Sequence, residues 1–320
     1  MKTKNTLITA AVMFATIGLH AAYQMDIATT FIDGKGNAAD TRTTEEGGTV
    51  GRGEVSYDYY IGTTEVTASQ YATFLNAVAS TSDAYGLYNT EMYDHISGCG
   101  IQQITNGDGS FSYAATKGDN MPVNFVSVYD AMRFCNWVTS GYTEVGVYML
   151  NGTTNDISLI VRNDVAWQAG GVAIASLDEW YKAAFYDKST GNYSTYANGS
   201  DTVPVAGTEV NVDNSVGDIT DVRAYEGITA SFYGVLDMNG NVWEWSDTVA
   251  SESNVYRRGG TFSGGPATLA ASFDHDLAAV HEYATLGFRV SSLNPIPEPS
   301  TYAAIFGALA LAVAAYRRRK

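Results

Sequence analysis

The chain of 320 residues carries 34 Asp plus Glu against 18 Lys plus Arg, a formal net charge of −16. Six of the basic residues (Lys2, Lys4, Arg317, Arg318, Arg319 and Lys320) lie at the two ends, so Tyr23 to Tyr316 holds twelve basic against 34 acidic residues, a net −22. A surface that acidic repels phosphate backbones, which argues against a nucleic-acid partner and suits an extracellular protein that binds cations.

In chain order, Lys2 and Lys4 precede the apolar run Leu7 to Leu19, with the small residues Ala21 and Ala22 behind it. That order predicts a secretory signal peptide over 1–22, the run being short for a membrane span. Residues 23–56 read as an N-terminal extension. From 57 to 292 no Pro-rich linker or repeat divides the chain, and 32 Gly and 22 Tyr predict a single loop-rich α+β domain. Three capping motifs predict helices: Thr67 with Gln70, Ser127 with Asp130, and Ser176 with Glu179, each followed by an apolar stripe that reads as core. Strands are predicted at Tyr57–Gly62, Val242–Trp245 and Gly287–Val290, and the polar, aperiodic stretch Gly141–Ala169 as loop. Cys99 and Cys135 are the only cysteines. An exported chain allows one disulfide between them, while the place of Cys135 on an apolar helix face equally suits a free thiol. The segment 293–320 closes the chain with Pro297-Glu298-Pro299, a short apolar stretch from Tyr302 to Tyr316 and a basic cluster.

That last order resembles the PEP-CTERM sorting signal of exported bacterial proteins. It implies export machinery, transient anchoring in the inner membrane by a short transmembrane helix, and removal of the tail. The blocks YYIGTTEVTASQYATFLNAV, MPVNFVSVYDAMRFCNWV, ASLDEWYKAAFYD, YGVLDMNGNVWEW, RRGGTF and LGFRV, in that order, resemble the formylglycine-generating enzyme (sulfatase-modifying factor) family. The resemblance implies an irregular α+β fold related to C-type lectins, with calcium supporting a small regular core. One departure is plain: the family's Arg-Leu-Pro-Thr is Ala173-Ile174-Ala175-Ser176 here.

Family enzymes oxidise a substrate cysteine with copper held by two cysteines, four and nine residues after the second Gly of Arg-Gly-Gly. In this chain those positions hold Gly264 and Leu269. Neither is a thiolate, the ligand that selects Cu(I), so copper chemistry is not expected. The resemblance implies one calcium site from the side chains of Asp237 and Glu244 with the carbonyls of Gly240 and Val242, and a second near Asn214 and Asp218. Oxygen donors of this kind suit Ca²⁺. A buried Arg partner for Glu244, Arg289 or Arg258, is the alternative. The cluster Asp274-His275-Asp276 with His281-Glu282 lacks helix-face zinc spacing and reads as an acidic loop.

The expectation is an exported cell-envelope protein that binds an extracellular ligand, glycan or peptide, without catalysis. Two alternatives stand beside it: an oxidoreductase with rewired metal chemistry in the same groove, and a structural component of exopolysaccharide or biofilm.

Overall fold

The computed structural model describes residues 25–42 and 50–296. The candidate signal peptide and the Pro-Glu-Pro tail lie outside the described residues.

In chain order the elements are β1 (Thr29–Ile32), β2 (Tyr59–Gly62), α1 (Ala68–Val78), α2 (Glu91–Asp94), β3 (Ile101–Thr105), β4 (Phe111–Ala115), α3 (Val128–Ser140) and α4 (Asp164–Gln168). Then come β5 (Ala173–Ile174), α5 (Leu177–Phe185), β6 (Tyr186–Asp187), β7 (Asn192–Tyr193), β8 (Trp243–Val249), β9 (Asn254–Arg258), β10 (His275–Ala278), β11 (Leu286–Phe288) and β12 (Val290–Ser292). Two four-stranded sheets carry the fold, ordered β1-β2-β12-β5 and β10-β9-β8-β11, with β3-β4 and β6-β7 as separate hairpins.

The three predicted helix starts are real because each is closed locally. Thr67, Ser127 and Ser176 accept from the backbone N–H three residues on, and Gln70, Asp130 and Glu179 reach back to the cap's own N–H. These reciprocal bonds satisfy two orphan donors per helix within four residues, so sequence alone reveals them. The apolar faces then meet. Tyr71 and Phe74 of α1 pack on Phe134 of α3, and Phe134 packs on Phe288 of β11.

Three readings change. The segment 23–56 is no mere extension: β1 pairs antiparallel with β2, Thr29 opposite Gly62, and forms an edge of the first sheet. It escaped notice because TTFI is short and alternates weakly. The stretch Gly141–Ala169 contains α4, capped by Asn163, whose Oδ1 accepts from the N–H groups of Val165 and Ala166. The predicted strand Gly287–Val290 is two strands, β11 in the second sheet and β12 in the first, and the chain passes from one sheet to the other at Arg289. Cys99 and Cys135 are both free and buried; burial pushes the Cys99 thiol up to about 11 and that of Cys135 well above its ordinary value.

Candidate functional site

The segment Asp237–Glu244 enters β8 through a tight turn. Asp237, Gly240 and Asn241 all have positive φ, at 57°, 78° and 61°. Gly240 is required on two counts: its φ is left-handed, and a Cβ there would lie 2.2 Å from the carbonyl oxygen of Asn211. The turn therefore presses against the loop that starts at Asn211, and Asn241 donates its backbone N–H to the Asn211 carbonyl.

Glu244, at the start of β8, is 1% exposed. Its Oε2 accepts from Arg289 Nε at 2.5 Å and from Trp180 Nε1 at 2.7 Å, and its Oε1 accepts from Arg289 Nη2 at 2.6 Å. Arg289 also donates to the carbonyls of Gly62 and Leu236. A buried carboxylate is tolerable when paired in this bidentate way. The arginine alternative named from the sequence is what the structure contains, with Arg289 rather than Arg258 as the partner. Arg258 instead donates to the carbonyls of Phe273 and Ala271 and to Asp274 Oδ1.

As a calcium ligand set, Asp237, Gly240, Val242 and Glu244 fit poorly. Glu244 already has its charge balanced and three N–H donors on its two oxygens, and a cation would sit beside the guanidinium. Asp237 is half-buried, and its Oδ2 accepts from the Arg223 backbone N–H at 2.7 Å. Among the described residues, no three His, Cys, Asp or Glu side chains cluster. Asn214 and Asp218 are not brought together as a cage either. Asn214 is exposed, and the Asp218 carboxylate faces Lys117 at 3.6 Å and caps the N–H of Ile219. The buried amide in this loop is Asn211, whose Nδ2 donates to the Asp218 carbonyl while its Oδ1 has no partner among the described residues.

Glu65 was missed. It is 1% exposed and sits two residues before Thr67, the cap of α1. Its Oε1 accepts from Asn241 Nδ2 at 3.1 Å, and its Oε2 has no partner among the described residues. Burial, then the fields of Asp237 and Glu244, push its carboxyl well above the ordinary range. A Glu ahead of a capping box, in a run otherwise suited to a strand end, was the available signal. Glu65 lines a cleft of about 410 Å³ between the segment Met25–Ala28, the start of α1 and the turns at Asn120 and Arg223.

The second buried ionic centre is built on Arg162, from the stretch expected to be loop. Its guanidinium spans both Glu179 oxygens (2.8 and 2.7 Å) and reaches Asp247 Oδ2 at 2.6 Å, and it lies over Trp167. It also donates to the carbonyl of Ile174, so a guanidinium stands beside the segment where the family's Arg-Leu-Pro-Thr has been lost. Burial alone would raise Glu179, but Arg162, with the Ser176 N–H and the Tyr57 hydroxyl, brings it down to about 2. Asp247 receives one guanidinium bond rather than two, and burial keeps it above the ordinary range.

At the two positions where a copper enzyme would carry thiolates, Leu269 is 1% exposed and packs with Val210 and Val212. Gly264 lies nearby in a tight loop, where a Cβ would approach Thr261 Cγ2 and Thr268 Oγ1 at 3.2 Å. The acidic and histidine cluster is structural. Asp274 pairs with Arg52 and Arg258, His275 lies against Trp243, and Glu282 accepts from Asn89.

Two small sheets joined by irregular loops, with capped helices packed on their faces, define a sulfatase-modifying-factor-like scaffold of the C-type-lectin-related kind. Residues 28–292 match the model of the sulfatase-modifying factor enzyme 1-like domain, and the chain belongs to that family. Its fold is similar to CarF (TM-score 0.56, 21% identity, 84% of this chain and 99% of that one). It is also similar to Treponema denticola variable protein 1 (TM-score 0.53, 18% identity, 84% and 96%). No curated protein matches the chain.

Proposed function

We propose that the protein is an exported, envelope-associated ligand-binding protein that uses a sulfatase-modifying-factor scaffold without copper-thiolate oxidation. The observation that carries this reading is the pair Gly264 and Leu269, the latter an integral part of a small core with Val210 and Val212. Cu(I) takes soft sulfur ligands. The chain's only thiols, Cys99 and Cys135, are buried in the packing around α1 and α3. Export rests on the charge and hydropathy order of the two ends, and the acidic surface suits a protein outside the cell that attracts cationic groups.

Glycan and peptide arrays incubated with the purified protein test this reading. The expected result is saturable binding to a chemically related subset of spots. Absence of binding to any spot, together with conversion of a cysteine peptide to its aldehyde, would replace it with an enzymatic one.

A further inference from the structure

The charges around Glu65 do not balance. Arg289 spends its guanidinium on Glu244, the Gly62 carbonyl and the Leu236 carbonyl. Arg223 pairs its own with Glu226 at 2.8 Å. Asp237 keeps one backbone N–H bond from Arg223, and Glu65 keeps one amide bond from Asn241. Glu65 thus lines the cleft with no cation of its own and adds a buried oxygen with no partner among the described residues. An unpaired buried carboxylate oxygen is costly unless a donor or a cation reaches it.

Among the cleft's other lining residues two acids outnumber the one cation, Arg223, which pairs with Glu226. Asp26 and Asp119 stand exposed at its rim, and Thr73 and Asn120 add neutral acceptors. The start of α1 would ordinarily attract an anion. Here its N–H groups are already used: Thr67 donates to Gln70 Oε1, Ala68 to the Met121 carbonyl, Ser69 to the Asp119 carbonyl and Gln70 to Thr67 Oγ1. No free donor remains there for an anion. The cleft is also far larger than a bare ion, at about 410 Å³, within the usual range for small organic ligands.

We propose that this cleft binds the ammonium group of a small organic amine, or of a basic side chain, with Glu65 as the buried anchor and Asp26 and Asp119 as the acidic rim. An ammonium has three N–H donors and no acceptor, which suits a pocket lined by carboxylate oxygens in which the first turn of α1 offers no free N–H. A metal ion fits less well, because among the described residues no three His, Cys, Asp or Glu side chains converge. The proposal rests on the ligand-binding reading above and supplies its chemistry.

The test is calorimetric titration of the whole purified chain with 1,4-diaminobutane, 1-aminobutane, 1-butanol and calcium chloride. Wild type, Glu65→Gln, Asp26→Asn and Asp119→Asn are compared, with a melting curve for each. The two amines should bind at one site and the alcohol should not. Glu65→Gln should weaken the amines by about tenfold or more, as expected when a charged hydrogen-bond acceptor is neutralised. Each rim variant, exposed and therefore safe for folding, should weaken them severalfold. Equal amine binding by wild type and by both rim variants overturns the proposal, as does no amine binding at all. Calcium binding without amine binding also overturns it, in favour of a metal site. If the arrays find a ligand whose binding Glu65→Gln and the rim variants leave unchanged, the cleft is wrong while the ligand-binding reading stands.

Discussion

Arg289, at the point where the chain leaves one sheet for the other, holds Glu244 of β8 through two bonds of 2.5 and 2.6 Å, both side chains fully buried. The same guanidinium reaches the carbonyl of Gly62 at the end of β2, so one ion pair ties the two sheets together. Removing one partner leaves the other charged, buried and unpaired. Arg289→Met should therefore lower stability by about 3–5 kcal/mol, measured by urea unfolding, whereas Arg289→Met combined with Glu244→Leu should recover much of that loss. With Arg289 as the counter-charge, chelation by EDTA should leave the melting midpoint of the wild type unchanged. A clear fall on chelation would return Glu244 to the calcium set.

Arg162 serves two acids at once. Glu179 is held down to about 2, below its ordinary 4.5. A carboxylate with a depressed folded value contributes stability that is present above its unfolded value and is lost as pH falls through the folded one. Stability from this pair should therefore decline between about pH 5 and pH 2. In Arg162→Met that slope should disappear, and stability at neutral pH should drop by about 3–5 kcal/mol. Denaturant unfolding at several pH values checks both; an unchanged acid slope in Arg162→Met would contradict the assignment.

Asp130 runs the other way. Buried in the cap of α3, and with Glu282 nearby, it is pushed up to about 7 from 3.8. Between those values the folded protein holds a proton that the unfolded chain has released, so this group makes stability fall as pH rises. The slope is at most about 1.4 kcal/mol per pH unit, one proton's worth. Asp130→Asn retains an acceptor for the Ser127 N–H and should flatten the curve from about pH 4 to 7. A variant with the wild-type slope would place the titration elsewhere.

Both thiols should resist modification. Cys99 and Cys135 have no exposed surface and raised thiol values, and the thiolate is the reactive form. Ellman's reagent should find no thiol in the folded protein and two after denaturation without reductant. One or none after denaturation would mean that the cysteines are oxidised in the isolated protein.

What could be read from the residues was local. The three capping boxes were legible because cap and partner lie three residues apart, and the turn before β8 because its Gly and Asn are adjacent. The partner of Glu244 could only be named as one of two arginines, since the choice depends on where the chain changes sheets. Arg162 was invisible: it stands in an aperiodic stretch and meets Glu179 and Asp247 only through the fold. Asn214 was named as a candidate ligand, but it is exposed, and the buried amide of that loop is Asn211, which the residues alone did not single out. Glu65 was passed over because a lone Glu carries no periodic signal, and its significance lies in the arginines that are committed elsewhere.

The central claim is that this scaffold binds rather than oxidises, and it stands on Gly264 and Leu269. A cysteine-containing sulfatase peptide incubated with the protein, Cu(I), oxygen and reductant, then read by mass spectrometry, tests it most directly. The expected result is unmodified peptide with the wild type. A Gly264→Cys, Leu269→Cys variant run beside it should take up Cu(I). Loss of the peptide's thiol as aldehyde in the presence of the unaltered protein would contradict the account.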